Sequence, residues 1–124
     1  MTGREPEDME DLMRIDDPEF DRVLECVFGI QSHERRTYFA LLEIPGSTVS
    51  EIAEDLDRDR SNVNRSLSTL AEKNLVDRDR KILDGGGYIY QYYPTPIPEA
   101  KALMHEAVDR WATDVHGKIE SFDV

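Results

Sequence analysis

The sequence predicts a mainly α fold with a small β-hairpin and a long closing helix. Three observations carry that expectation. Apolar residues recur at helical spacing through residues 18–44, 48–74 and 97–122. One charged strand-like stretch, VDRDRKIL, meets Asp84-Gly85-Gly86-Gly87 and returns as YIYQYY, the composition of a hairpin. Pro94, Pro96 and Pro98 then stop the sheet, and Pro98 suits the first position of a last helix. At 124 residues the chain fits one domain with a modest core.

Taken in order, residues 1–17 are acidic and polar. They fit either an N-terminal tail or a short helix carrying Met9, Leu12, Met13 and Ile15. Asp17-Pro18 marks a helix start, and the next turns put Phe20, Val23, Leu24, Val27 and Ile30 on one face. Ser32 caps a second helix that ends before Pro45-Gly46. Thr48-x-x-Glu51 fits a capping box for a short helix with Ile52, Ala53 and Leu56 inward. After a tight polar turn, Asp59 caps a helix with Val63, Leu67 and Leu70 inward, and Asn74 takes the left-handed position that ends it. This gives an acidic segment at 1–17, a core unit at 18–96 and a closing helix at 97–124.

Charge narrows the function. The formal net charge is −12, yet residues 57–81 hold seven bases against five acids and form the only net-positive block. General acidity serves solubility and is a device of salt-loving organisms. In molar salt the Debye length is only about 3 Å, so distant acids would hardly repel a polyanion. A high-salt cytoplasm is therefore the expected setting. No run approaches the ~20 apolar residues of a membrane span, and the N-terminal stretch has no apolar signal core. One cysteine, Cys26, excludes a disulfide framework within one chain and a multi-cysteine zinc site. No Lys-Ser/Thr follows the triple glycine and no G-x-G-x-x-G occurs, which argues against nucleotide binding. No nucleophile, base and acid converge on a predictable cleft, so an enzyme is not expected, and neither is a cofactor or a metal.

The block TVSEIAEDLDRDRSNVNRSLSTLAEKNLV resembles the DNA-binding core of MarR-type and archaeal TrmB-type regulators. The shared pattern is Ala53, Leu56, Val63, Leu67 and Leu70, followed by Asn74-Leu75-Val76 opening a wing. It covers about a quarter of the chain, and the flanking elements extend it in order. The resemblance implies a winged helix-turn-helix whose second helix enters the major groove of double-stranded DNA. The acidity is also similar to that of small haloarchaeal regulators of the RosR type, which implies a response to oxidative stress.

With Val63, Leu67 and Leu70 inward, the outer arc of that helix carries Arg60, Ser61, Asn62, Asn64, Arg65 and Ser68. Arginine bonds guanine bidentately, asparagine does so with adenine, and serine suits a phosphate. Asn64 and Arg65 are the expected base readers. Asn and Ser are mediocre helix formers, so several on one exposed arc argue for contact rather than stability. On the wing, Arg78, Arg80, Lys81 and Tyr88 are candidate contacts to the backbone or minor groove. Asp77 and Asp79 interleave with those bases, as they would in a merely solvated hairpin.

On the last helix Met104, Val108, Trp111, Val115, Ile119 and Phe122 step by three or four and form one stripe. A second copy is its simplest partner, and a homodimer predicts two half-sites roughly 10 base pairs apart, or a multiple of that. Cys26 lies close to the apolar face of its helix, where free cysteine is usually a small buried hydrophobe. It is nonetheless the candidate redox residue, with Arg22 one turn away and Glu25 adjoining. The competing function is a winged-helix adaptor that binds protein without specific DNA binding.

Overall fold

The chain turns wherever a residue accepts a left-handed backbone. The computed structural model describes residues 18–123, so the expected tail or helix at 1–17 lies outside the described residues. Helix α1 (Pro18–Phe28) ends at Gly29, with φ +70°. Helix α2 (Ser32–Glu43) is capped by Gln31 rather than by Ser32, which is already its first residue. The Gln31 backbone N–H donates to Glu34 Oε1 at 2.7 Å, the half of a capping box in which the carboxylate three residues on satisfies the N-cap amide. Helix α3 (Val49–Leu56) opens with the expected box: Glu51 N donates to Thr48 Oγ1 at 3.2 Å, and Thr48 N to Glu51 Oε1 at 2.9 Å.

Asp57, at φ 55°, makes the tight turn into α4 (Arg60–Glu72). Asp59 occupies the N-cap position, but its side chain makes no capping hydrogen bond. At the other end Leu75 N reaches Leu70 O (2.9 Å) and Asn74 N reaches Ala71 O (3.0 Å), with Asn74 left-handed at φ 65°. This is a Schellman ending, and it throws the chain directly into β1 (Val76–Ile82). β1 pairs antiparallel with β2 (Tyr88–Pro94), Val76 facing Pro94 and Ile82 facing Tyr88. Helix α5 (Ile97–Ser121) closes the chain. Among the described residues, five helices and one hairpin, in this order, are a winged helix-turn-helix with a long final helix.

Helix α2 is the centre of the core. It packs against α1, α3, α4 and β2. Tyr38, Leu41, Ile52, Val63, Leu67, Leu70 and Leu75 are all buried, each adding about 1.5–3 kcal/mol of apolar burial. Two corrections concern α1. Ile30 lies beyond the helix end, though it is buried as expected, and Phe28 joins it in the core. Val23 stands exposed, because α5 covers only part of the α1 face. Arg35 ties α1 to α2: it pairs with Asp21 and donates to Ile30 O at 2.6 Å, so a nearly buried guanidinium is satisfied.

The wing is fastened to this core at its base. Gly46 N donates to Tyr92 O (2.7 Å) and Tyr92 N to Ser47 O (2.8 Å), a one-residue bridge between the helices and β2. Thr95 Oγ1 donates to Asn74 O (2.8 Å), and Thr95 N to Leu75 O (2.8 Å). Tyr38 Oη donates to Thr95 O at 2.6 Å, and burial pushes its phenol well above the ordinary tyrosine range, so it stays a donor. Tyr38→Phe is expected to lower stability by about 1–2 kcal/mol, read by urea denaturation, because it strands a carbonyl at the wing base. An unchanged midpoint would show that water satisfies that carbonyl instead.

Candidate nucleic-acid interface

The polar arc of α4 begins at its N-terminus, where unpaired backbone amides favour an anion. Arg60, Ser61, Asn64, Arg65 and Ser68 are exposed, while Asn62 is partly buried. Two hydrogen bonds order this arc. Arg60 Nη1 donates to Ser50 Oγ at 3.1 Å, joining α4 to the start of α3. Arg65 Nη2 donates to Asn62 Oδ1 at 2.9 Å, which aims the guanidinium along the helix surface. Sequence reasoning named Asn62 as a contact in its own right; here it also holds a neighbour.

The hairpin answers the question raised by its mixed charge. Strand side chains alternate between faces. Arg78 and Arg80 therefore share one face with Tyr88, Tyr90 and Tyr92, while Asp77 and Asp79 lie on the other. Lys81 falls on the acidic face, so the four predicted wing residues do not share one face. Arg78 sits over the Tyr90 ring, 3.9 Å from its centroid, and Arg80 over Tyr88 at 4.9 Å. A hydrogen bond from Arg78 to Tyr92, helped by the other tyrosines, raises the Arg78 pKa above its ordinary value.

Both surfaces open onto the same cleft. A hollow of about 590 Å³ is lined by Ser50, Arg60, Ser61 and Asn64 from the helices and by Arg78 and Tyr90 from the wing. A smaller one of about 350 Å³ continues past Asn64 and Ser68 to Arg78. Wing and helix thus present one polar, locally cationic face. Such a face is suited to the sugar-phosphate edge and groove of a duplex.

The sequence matches the family described as sugar-specific transcriptional regulator TrmB over residues 24–97, which is more than half the chain. The chain belongs to the TrmB family. It is 33% identical over 104 residues to the uncharacterized protein MJ1503 of Methanocaldococcus jannaschii, covering 84% of this chain and 79% of that one. Among solved structures it is similar to a possible transcriptional regulator from Methanosarcina mazei Go1, with TM-score 0.74, 24% identity and coverage of 84% and 88% of the two chains. It also shares its fold with an S. aureus MepR mutant bound to an oligodeoxyribonucleotide, at TM-score 0.55 and 18% identity, covering 93% of this chain and 79% of that one.

The TrmB match ends where α5 begins, at residue 97. Ala100 and Met104 of α5 are buried in the chain's own core. Met104, expected on the pairing stripe, is therefore a core residue: the first two turns of α5 lie against α1 and use it there. Beyond it Val108, Trp111, Ile119 and Phe122 are exposed and Val115 is half-buried. Cys26 is exposed, not packed as free cysteines usually are. Arg58 was not singled out from sequence. It follows the left-handed Asp57, and its Nη1 is buried without a hydrogen-bond partner among the described residues. No periodic pattern signals a residue whose position depends on a turn. No described helix is long and apolar enough to cross a membrane.

Proposed function

We propose that this TrmB-family protein is a sequence-specific DNA-binding transcription regulator that acts as a homodimer in a high-salt cytoplasm. Helix α4 enters the major groove, with Asn64 and Arg65 reading bases and Arg60, Ser61, Asn62 and Ser68 making mixed base and phosphate contacts. The wing lies on the backbone or minor groove. Residues 18–96 form the DNA-binding unit, and α5 beyond Met104 pairs with a second copy. The observation that carries this reading is the shared cleft: helix arc and basic wing face line one surface. The oligonucleotide bound by the MepR mutant of the same fold supports it. The exposed Val108, Trp111, Ile119 and Phe122 support the pairing.

Footprinting of genomic fragments in concentrated KCl tests the reading. Two protected half-sites, roughly 10 base pairs apart or a multiple of that, are expected. Protection that is absent at every fragment, or confined to one half-site, would overturn it. The proposed response to oxidative stress rests on the RosR-type resemblance and on the exposed Cys26 thiol. A Cys26→Ser protein is expected to keep its operator under peroxide; release equal to that of the parent protein removes the thiol from the response.

A further inference from the structure

The wing carries its positive charge in an unusual form for so acidic a protein. Arg78 and Arg80 are exposed, and among the described residues neither guanidinium takes part in an ion pair. The nearest acids in sequence, Asp77 and Asp79, are turned to the opposite face by the strand alternation. Each arginine instead leans one step toward the wing tip, onto the tyrosine diagonal to it. Arg78 faces Tyr92 in register but stacks on Tyr90, and Arg80 faces Tyr90 but stacks on Tyr88. The two rings brace one another edge to face, with centroids 5.4 Å apart. Two long, rotamer-rich side chains are thus ordered before any ligand arrives; Arg78 gives one donor to Tyr92, and a guanidinium has five, so N–H donors remain for a ligand on both arginines.

Spacing says what they hold. Two residues along a strand advance about 6.8 Å, comparable with the step between neighbouring phosphates on one nucleic-acid strand. A planar guanidinium with its face on a ring still offers its edge donors to a phosphate. We infer that the two Arg–Tyr stacks form a prearranged cradle for successive phosphates of one DNA strand, with Tyr88 and Tyr90 as positioning residues. This deepens the DNA-binding reading and rests on it. The cradle continues the α4 surface, because Arg78 lines the cleft that Arg60, Ser61 and Asn64 share. It carries no base information of its own, so it sets register and affinity while α4 sets sequence.

The test measures binding to a mixed-sequence duplex about three helical turns long, across a salt series. Arg78→Gln and Arg80→Gln are each expected to reduce the log–log salt slope by about 0.9, one phosphate contact. Tyr90→Phe and Tyr88→Phe keep the ring and should match the parent protein. Tyr90→Leu and Tyr88→Leu keep the charge but lose the platform, and should weaken binding by about two- to five-fold with the slope unchanged. In the free protein, ring-current shifts of the arginine side-chain protons should persist in the Phe variants and vanish in the Leu variants, which also checks that the hairpin is folded. Leu variants that bind like the parent overturn the positioning role, and Gln variants with an unchanged slope overturn the phosphate contact. If the parent protein binds no duplex under any salt, the DNA reading itself falls, and the cradle with it; failure confined to the wing variants leaves that reading standing.

Discussion

Trp111→Glu is expected to separate the protein into single chains and to reduce affinity for a two-half-site operator by about 10²–10⁴-fold. Helix α5 is anchored only near its start. It is 25 residues long, and only Ala100 and Met104, in its first two turns, are buried. Past them Trp111 is 66% exposed, Ile119 60% and Phe122 76%, with Val108 exposed on the same stripe. The exposed Val23 of α1 shows that the helix beneath is left partly open as well. The indole on the exposed stripe, and the phenyl ring of Phe122 just past the helix end, gain most by burial against a matching face, which the proposed two-fold partner would supply. A glutamate at 111 would bring an unpaired charge into that seam from each copy. Glutamate is a good helix former, so α5 itself should survive, and circular dichroism would verify it. Sedimentation reads the assembly and anisotropy reads the affinity. A variant that stays dimeric with parental affinity would move the pairing surface elsewhere.

Arg65→Ala is expected to cost about 1–3 kcal/mol of discrimination between operator and altered operator, or about five- to 150-fold. Nonspecific affinity should fall only by the loss of one charge. The geometry supports Arg65 because the residue is exposed, yet its direction is set by the hydrogen bond to Asn62 Oδ1. One terminal nitrogen is occupied, and the remaining donors are free for the two acceptors of a guanine edge. Binding competition between the operator and single-base variants reads the effect. Equal losses on specific and mixed-sequence DNA would make Arg65 a phosphate contact.

Most of the helical core was legible before any coordinates. Thr48-x-x-Glu51, the periodic Val63, Leu67 and Leu70, and Asn74 are local signals, and each acts within a few residues of itself. Capping hydrogen bonds and a left-handed residue need only neighbours along the chain, which is why those expectations hold. The misplacements on α1 and α5 share another cause, whereas that at the α2 N-cap is local. Met104 has the same spacing as the rest of the α5 stripe, and only the docking of that helix on α1 decides that it is core. Val23 and Cys26 read as near-core residues, but the breadth of face that α5 covers leaves both exposed. The N-cap of α2 passes to Gln31 because Glu34 is placed to complete the box from that position.

By itself the chain's amino-acid order determined the element types, their succession and the polar arc of α4, since periodicity and caps are properties of short segments. It also determined that bases concentrate between residues 57 and 81 while acids prevail elsewhere. Strand alternation already parts Arg78 and Arg80 from Asp77 and Asp79, but tertiary structure alone decided that the two arginines stack on rings from the opposite strand. It alone decided that the wing face meets Asn64 across one cleft. Those outcomes depend on strand register and on how a hairpin is fastened to a distant tyrosine, and such long-range distances leave no trace in local spacing.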